Sequence, residues 1–198
     1  MELVTTLGEL GLLDHPLPLT ISAPTGAGKT HLALMMARRV AERGERAIYL
    51  TPLRAQAQEL FDRVAPLTPG TGLLVGGTPW NAALRNARLL IATYEALIPR
   101  FAFYRTNIEW IASIGMVIID EIHLLESPHR GGALEQLISW IRRVAPAIKL
   151  ITLSGTLGRD PELLSFLGTG YVHTDTRPVP LTLRTVRYES AQKEQKLL

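Results

Sequence analysis

Short apolar runs alternate with helical patterns along most of the chain. The apolar runs are rich in Ile, Val and Leu with few polar interruptions, which is typical of strands buried on both faces of a parallel sheet. The candidate strands are Leu19–Ser22, Ala47–Thr51, Leu73–Val75, Leu89–Thr93, Met116–Asp120 and Leu150–Ser154. Apolar positions recur at helical spacing between them, and the candidate helices are Thr30–Arg43, Arg54–Val64, Gly132–Val144 and Asp160–Leu167. This alternation predicts an α/β fold with a parallel sheet and helices on both faces.

Length and composition favour one domain. The chain has 198 residues, of which 46% are hydrophobic, and this suits a single α/β domain with a substantial core. The chain turns polar after Tyr188. We therefore predict one domain over residues 1–188 and an exposed polar tail over residues 189–198.

Composition also narrows the class of protein. No apolar run is long enough to span a membrane, and the first residues lack the basic-then-apolar layout of a signal peptide. The chain has no cysteine, which excludes disulfides, zinc knuckles and thiol nucleophiles and is compatible with a reducing compartment. We therefore expect a cytoplasmic protein with no membrane contact. The formal net charge of +3 permits nucleic-acid binding but does not argue for it.

The most specific local pattern is a phosphate loop. It has the sequence Ala23-Pro24-Thr25-Gly26-Ala27-Gly28-Lys29-Thr30, which fits the pattern G-x-x-x-x-G-K-[ST] with alanine in place of the first glycine. A candidate strand precedes the loop and a candidate helix follows it, so we reject the alternative of a Gly-rich turn that binds nothing. The glycines allow the backbone N–H groups to turn toward phosphate oxygens. The residues predicted to contact the nucleotide are Thr25, Gly26, Ala27, Gly28, Lys29 and Thr30, with the Lys29 ammonium on the β- and γ-phosphates and the Thr30 hydroxyl on Mg²⁺.

An acidic pair ends the fifth candidate strand. Asp120 and Glu121 follow a continuous apolar run, which places them at the carboxyl edge of the sheet, where ligands of such folds bind. We predict that Asp120 holds Mg²⁺ and that Glu121 positions and deprotonates the attacking water. His123 has two open interpretations, since it either couples the nucleotide site to a neighbouring domain or is an ordinary polar residue after a strand. Lys29, Asp120 and Glu121 are thus the candidate catalytic residues.

With these motifs in place, the chain resembles superfamily 2 helicases, and within them the superkiller-type (Ski-like) DExH branch. The resemblance is carried, in the family's order, by the phosphate loop, Thr51–Glu59, Gly76-Gly77, Ala92–Glu95, Asp120–Leu125, Arg130-Gly131, Leu134-Glu135, Ser154–Leu157 and Arg177–Leu181. It covers the chain from about Leu19 to Leu181. The resemblance implies a RecA-like P-loop NTPase fold, ATP and Mg²⁺ as cofactors, and a second RecA-like domain as partner.

The resemblance also implies further site residues. Ser154 and Thr156 match the motif that couples the nucleotide state to the grip on the strand. A single strand of DNA or RNA is expected to lie along residues that follow three candidate strands, where phosphate contacts set register without reading sequence. These residues are Pro52, Leu53, Arg54, Gly76, Gly77, Thr93, Tyr94 and Glu95.

The sequence departs from the family pattern in three ways. No glutamine occurs before Gln56, so the upstream glutamine with which the family reads adenine has no match. Gly155 stands where the family usually has alanine. Nothing after Leu181 resembles the second RecA-like domain, whose arginines stabilise charge on the transferring phosphoryl group. We therefore expect this chain to bind ATP but to hydrolyse it poorly.

These patterns favour the first motor domain of an ATP-dependent helicase or translocase. One alternative is the motor part of an ATP-driven nuclease system, such as a CRISPR-associated helicase-nuclease, whose cutting site would lie outside this chain. Another is an ATP-gated module that binds nucleic acid without being an enzyme. All three share the nucleotide site.

Overall fold

The fold is an α/β sandwich whose central sheet is parallel throughout. The computed structural model describes residues 2–9, 11–13, 17–129 and 131–175. The strands are β1 Leu19–Ser22, β2 Arg46–Thr51, β3 Thr71–Leu74, β4 Leu89–Thr93, β5 Ile114–Ile119, β6 Lys149–Ser154 and β7 Gly170–His173. The helices are α1 Glu2–Glu9, α2 Lys29–Glu42, α3 Arg54–Val64, α4 Ala82–Asn86, α5 Tyr94–Ala102, α6 Tyr104–Ala112, α7 Gly131–Val144 and α8 Pro161–Leu167, with a short 3₁₀-helix at Ile122–Glu126.

The strand order explains how distant motifs meet. Within the described residues the sheet runs β3-β4-β2-β5-β6-β1-β7, and every pairing between neighbours is parallel. The carboxyl ends of all strands therefore lie at one edge. The strand that leads into the phosphate loop, β1, is separated from the strand that leads into the acidic pair, β5, by β6 alone. The loops after these three strands consequently meet at the middle of that edge.

Apolar residues on both faces hold the sheet between two layers of helices. In β5, Met116 and Ile118 face the layer formed by α1, α2 and α3, whereas Val117 and Ile119 face the layer formed by α4 to α8. All of these side chains are fully buried. Removal of such a side chain from water contributes roughly 1.5–3 kcal/mol. This two-sided burial accounts for the continuous apolar runs and gives the functional edge a rigid support.

The predicted elements agree with this architecture. The parallel sheet, the helices on both faces and the RecA-like fold class are confirmed. The sequence patterns did not predict α1, α4, α5, α6 or β7. The segments Arg130 and Arg177–Leu181, residues 176–188 of the predicted domain and the predicted tail at residues 189–198 lie outside the described residues.

Candidate functional site

The loop between β1 and α2 has the shape of an anion cradle. Gly26 and Gly28 have φ angles of 84° and 88°, in the left-handed region that side chains other than glycine rarely adopt. Gly28 is the N-cap of α2, so the first N–H groups of that helix face the loop. A Cβ atom built at either glycine would meet no other heavy atom within 4 Å. The loop therefore encloses open space at the positive end of a helix, which suits a phosphate group.

Lys29 lies across this loop. Its Nζ donates hydrogen bonds to the carbonyl oxygens of Ala23 at 2.6 Å and Pro24 at 3.1 Å. Burial lowers the pKa of the ammonium, and the nearby carboxylates of Glu121 and Asp120 oppose that shift. The cation thus lies between the phosphate loop and the acidic pair, where it can attract a phosphate as a compact point charge.

Asp120 is held from three directions. The Tyr49 hydroxyl donates to its Oδ2 at 2.9 Å, and the backbone N–H of Glu121 donates to its Oδ1 at 3.0 Å. The Tyr94 hydroxyl donates to its backbone carbonyl. Burial raises the pKa of the Asp120 carboxyl, and the hydrogen bond from Tyr49 opposes this shift. These contacts fix the orientation of the carboxylate at the sheet edge.

Tyr49 also joins the two predicted magnesium ligands. Its hydroxyl donates to Asp120 Oδ2 and also interacts with the Thr30 side chain, and its ring is fully buried. Burial raises the pKa of Tyr49 well above its ordinary value, and the Asp120 carboxylate raises it further, so the phenol stays protonated. The Thr30 hydroxyl and the Asp120 carboxylate are oxygen ligands of the kind that Mg²⁺ prefers. Both side chains lie near the Tyr49 hydroxyl and line the same cavity.

Glu121 occupies a strained backbone conformation. Its φ and ψ are 54° and 48°, and among the described residues it has the only positive φ outside glycine. Such a conformation costs on the order of 1–3 kcal/mol and is found most often at functional sites. Its Oε2 lies 3.3 Å from His123 Nδ1, and that nitrogen lies 3.5 Å from the Ser154 Oγ. His123 thus links the Glu121 carboxylate to Ser154 at the end of β6.

The turn after β6 is organised by Ser154. Its Oγ accepts hydrogen bonds from the N–H groups of Thr156 at 3.2 Å and Leu157 at 3.1 Å. The Ser22 hydroxyl, at the end of β1, donates to the Leu157 carbonyl at 2.6 Å. The Ser154 side chain is fully buried, whereas Thr156 is exposed. A continuous set of contacts thus runs from Glu121 through His123 and Ser154 to the strand that carries the phosphate loop.

These groups surround one cavity of about 440 Å³. Its lining includes every predicted nucleotide residue except Ala27, together with both acids. Four further residues line the cavity and were not predicted to do so from the sequence: His31, Leu34, Arg63 and Gly155. Helical spacing from the phosphate loop would have indicated Leu34, but no local pattern marks Arg63. That residue reaches the cavity because α3 packs on the same sheet face as α2.

The residues predicted to contact single-stranded nucleic acid lie at or just after the ends of β2, β3 and β4. These three β-strands are adjacent in the sheet. Leu53 is 43% exposed, and Arg54, Gly76, Gly77 and Glu95 are also exposed. They lie at the carboxyl edge of the sheet, beside the nucleotide cavity. We refer to this edge, residues 52–54, 76–77 and 93–95, as the strand track.

Three residues of the strand track have buried side chains. The side chains of Thr93 and Tyr94 are buried, with 3% and 0% exposure, and Pro52 is buried as well. Tyr94 opens α5 and points under the sheet edge, where its hydroxyl meets the Asp120 carbonyl. Tyr94, Thr93 and Pro52 can therefore offer a nucleic-acid strand only backbone groups at that edge.

Fold and site together define a P-loop NTPase domain with a RecA-like sheet. The chain belongs to the DEAD/DEAH box helicase family, which matches residues 12–164. The chain is similar to the ATP-dependent DNA helicase Hel308 of Methanocella arvoryzae, with 33% identity over 182 residues, 86% of this chain and 24% of that protein. Its similarity to Hel308 of Aeropyrum pernix is 33% over 165 residues, 82% of this chain and 22% of that protein. The chain thus spans about a quarter of the length of these relatives.

Solved structures show the same fold. The helicase domain of Pyrococcus furiosus Hef superposes with a TM-score of 0.70 at 18% identity, over 87% of this chain and 38% of that one. Mss116p bound to single-stranded RNA and AMP-PNP superposes with a TM-score of 0.63 at 22% identity, over 79% and 36%. No helix in the described part of the chain is both long and apolar enough to cross a membrane.

Proposed function

We propose that this chain is the first motor domain of an ATP-dependent DNA helicase and acts with a second RecA-like domain. The observation that carries the proposal is the single cavity in which the phosphate loop faces the acidic pair. The similarity to Hel308 proteins supports DNA as the strand. Within the DEAD/DEAH box family we place the chain in the superkiller-type branch, on the sequence Asp120-Glu121-Ile122-His123. The absence of cysteine supports a cytoplasmic location.

The nucleotide is held by the phosphate loop. Phosphate oxygens accept hydrogen bonds from the backbone N–H groups around Gly26 and Gly28 and at the start of α2. These groups border the open space of the cradle. Lys29 exchanges its two bonds to loop carbonyls for contacts with the phosphates. Thr30 and Asp120 would hold Mg²⁺, which would neutralise charge on the phosphates.

Hydrolysis depends on Glu121. Its carboxylate borders the cavity and is half-exposed, so it can accept a proton from a water aligned with the terminal phosphate. Asp120 stays in place because Tyr49 and the Glu121 N–H hold both of its oxygens. Because the backbone at Glu121 is strained, the two neighbouring carboxylates point in different directions and can have different roles.

Coupling to the strand follows the contacts from Glu121 to His123 and Ser154. A change at the terminal phosphate alters the environment of Glu121, and the 3.3 Å and 3.5 Å contacts of His123 transmit it to the β6 turn. Thr156, exposed on that turn, is placed to contact the second domain. This path links the nucleotide state to the contacts that the strand track makes with nucleic acid.

The motor of a nuclease system is less well supported. The chain's similarity is to helicases, and the described residues contain no cluster of three or more His, Cys, Asp or Glu suited to a metal centre. A nuclease site would therefore need residues other than those described. The shared nucleotide chemistry remains the same in either case.

Steady-state ATP hydrolysis, with and without single-stranded DNA, tests the proposal. We expect the chain alone to turn over near background, because the arginines that stabilise the transferring phosphoryl group belong to the second domain. Addition of that domain from a Hel308 protein should raise the rate, and Lys29→Ala or Glu121→Gln should abolish the increase. Glu42→Gln, an exposed acid in the last turn of α2, is the matched control and should leave the rate unchanged. A Glu121→Gln chain with full activity would refute the role of Glu121 as base.

A further inference from the structure

A groove of about 270 Å³ lies between α6 and α7, on the face of the sheet opposite α2. Its walls come from Tyr104 and Ile108 on α6 and from Trp140, Arg143 and Val144 on α7. Residues three or four positions apart share one face of a helix, so each helix presents a single face to the groove. The ring centroids of Tyr104 and Trp140 are 6.4 Å apart, and the ring planes are tilted by 40°. The groove is therefore a mainly apolar surface that two neighbouring helices form together.

This groove is open to solvent. Ile108 is 49% exposed, and Phe103, which is the N-cap of α6, is 69% exposed. Tyr104, Trp140 and Val144 pack on the core but are only half-buried. Single exposed apolar side chains are common on proteins, but a group of them around a groove is typical of an interaction site. A partner can therefore reach these side chains without a rearrangement of the fold.

Two arginines give the groove its charge. Arg143 lines it, and the Nε–H of Arg105 donates to the Tyr104 hydroxyl at 3.5 Å. This hydrogen bond lowers the pKa of Tyr104, and the charge of Arg143 lowers it as well, so both cations act on one hydroxyl of the groove. Both arginines are exposed, and within the described part of the chain neither forms an ion pair with a carboxylate. The groove thus favours an occupant with negative charge beside an apolar side chain.

We propose that this surface, the α6–α7 groove, binds an acidic amphipathic segment of a separate protein. An apolar side chain of that segment enters the groove beside Ile108 and Trp140, and flanking carboxylates pair with Arg105 and Arg143. Tryptophan, tyrosine and arginine are the residue types that most often dominate binding at protein interfaces. An amphipathic helix that lays its apolar face on such a groove is a common mode of peptide recognition.

The position of the groove disfavours nucleic acid and the second motor domain as occupants. Helix α7 ends at Val144, shortly before β6 begins at Lys149, so Trp140 and Arg143 lie toward the amino ends of the strands. The nucleotide cavity and the strand track lie at the carboxyl ends, where the second RecA-like domain of the proposed motor acts. The groove is therefore separate from the proposed function and does not rest on it.

Neither this chain's own tail nor a second copy of the chain suits the groove. Residues 176–198 lie outside the described residues, and their sequence is basic, with five lysines and arginines against two glutamates. Two copies that met through this groove about a two-fold axis would bring the Arg143 side chains of both copies together. Positive charge would oppose positive charge in either case, so the carboxylates come from a different protein.

The experiment is a fluorescence-anisotropy titration of a labelled peptide of about 15 residues, in which leucine and glutamate recur at helical spacing. The wild-type chain should bind this peptide, with an affinity that falls as salt rises. A peptide with lysine in place of glutamate, and one with serine in place of leucine, should each bind on the order of tenfold more weakly. No binding of the leucine–glutamate peptide, or equal binding of the lysine peptide, would overturn the proposal.

Two exposed side chains test whether the peptide occupies this groove. Ile108→Ser should weaken peptide binding about fivefold, and Arg143→Gln roughly 3- to 10-fold. Both variants should stay folded, because both side chains are exposed. Arg38→Gln is the matched control, since Arg38 is also an exposed arginine but lies on α2, in the other layer of helices. If Arg143→Gln and Arg38→Gln have the same affinity for the peptide, the proposal is overturned.

Three measurements distinguish other occupants. Binding of a labelled oligodeoxythymidylate that depends on Arg143 would assign the groove to nucleic acid. A dimer in sedimentation that is lost in Ile108→Ser would assign it to a second copy of the chain. Loss of peptide binding on addition of the second RecA-like domain of a Hel308 protein would assign it to that domain. Each of these results would overturn the proposal, which predicts none of them and predicts that Lys29→Ala binds the peptide as the wild-type chain does.

The indole N–H signals provide a readout independent of affinity. In ¹⁵N–¹H spectra, the leucine–glutamate peptide should shift the Trp140 signal. Trp110, which is buried and lines a different cleft, serves as the internal control and should not shift. An unchanged Trp140 signal, or an equal shift of both tryptophans, would contradict the proposal.

Discussion

Replacement of Tyr49 by phenylalanine removes one hydroxyl group from beneath the acidic edge of the sheet. That hydroxyl donates to Asp120 Oδ2 at 2.9 Å and also interacts with the Thr30 side chain. The ring is fully buried, and phenylalanine keeps its packing. The substitution therefore isolates the hydrogen bonds from the hydrophobic contribution of the side chain.

Two consequences follow for Asp120. A hydrogen bond to a charged group contributes about 1.5–3 kcal/mol, so the free energy of unfolding should fall by about 2 kcal/mol. The same bond opposes the rise that burial causes in the Asp120 pKa. Without this hydrogen bond the pKa of Asp120 rises further. On acidification, its carboxylate is therefore protonated at a higher pH than in the wild-type chain. Magnesium-dependent ATP binding should therefore weaken, and it should weaken most on the acid side of neutrality.

Urea unfolding and magnesium titrations of ATP binding measure the two effects. Tyr94→Phe is the matched control, since it removes a buried hydroxyl that donates to the backbone of Asp120 rather than to its carboxylate. We expect Tyr94→Phe to cost about 1 kcal/mol of stability, as for a neutral hydrogen bond, without a change in the magnesium requirement.

A double-mutant cycle sharpens the result. On an Asp120→Asn background the partner is neutral, and the cost of Tyr49→Phe should drop from about 2 to about 1 kcal/mol. The reasoning is refuted if Tyr49→Phe costs no more than Tyr94→Phe, shows no coupling to Asp120, and leaves the magnesium requirement and its pH dependence unchanged.

Three further substitutions test other parts of the site. Gly28→Ala places a side chain at a φ of 88°, so the free energy of unfolding should fall by about 1 kcal/mol. The ATP affinity measured by calorimetry should fall on the order of tenfold. An unchanged affinity would contradict the role of this loop in phosphate binding. Ser154→Ala removes the acceptor for the N–H of Leu157, and urea unfolding should show a loss of about 1–2 kcal/mol; no loss would show that the turn does not need it. Gly131→Ala places a Cβ 2.1 Å from the Leu125 carbonyl oxygen, so the backbone must shift and the melting temperature should fall by roughly 5 °C, which an unchanged value would contradict.

The elements with strong local patterns could be predicted from the sequence. The bounds of β1, β4 and α3 match the predicted Leu19–Ser22, Leu89–Thr93 and Arg54–Val64. The two strands are buried on both faces along their whole length, which leaves an unbroken apolar run. The helix buries Ala57, Leu60 and Val64 at helical spacing. In these segments local pattern and tertiary environment agree.

Other elements lacked such a pattern. α5 contains Pro99, which reads as a helix breaker but lies inside the helix. β7 is an edge strand with exposed or half-exposed residues throughout, so it shows no apolar run. The role of Tyr49 could not be predicted from the sequence either. A tyrosine in a buried strand reads as a packing residue, and only the structure shows that its hydroxyl donates to Asp120.

The functional site also has parts that the sequence predicts and parts that it does not. Motif order placed Lys29, Asp120 and Glu121 around one cavity, since the carboxyl ends of parallel strands share an edge. The backbone strain at Glu121 and the contribution of Arg63 come from tertiary packing, which no spacing in the sequence encodes. The burial of Tyr94 likewise depends on where α5 begins.

Isothermal titration of this chain and of Lys29→Ala with Mg-ATP measures whether this cavity binds the nucleotide. The structure predicts one binding site per chain and a loss of affinity on the order of tenfold or more in Lys29→Ala, because that ammonium lies over the phosphate cradle. Equal affinity in the two proteins, or no binding by the wild-type chain, would contradict the assignment of this cavity as the ATP site of a helicase motor domain.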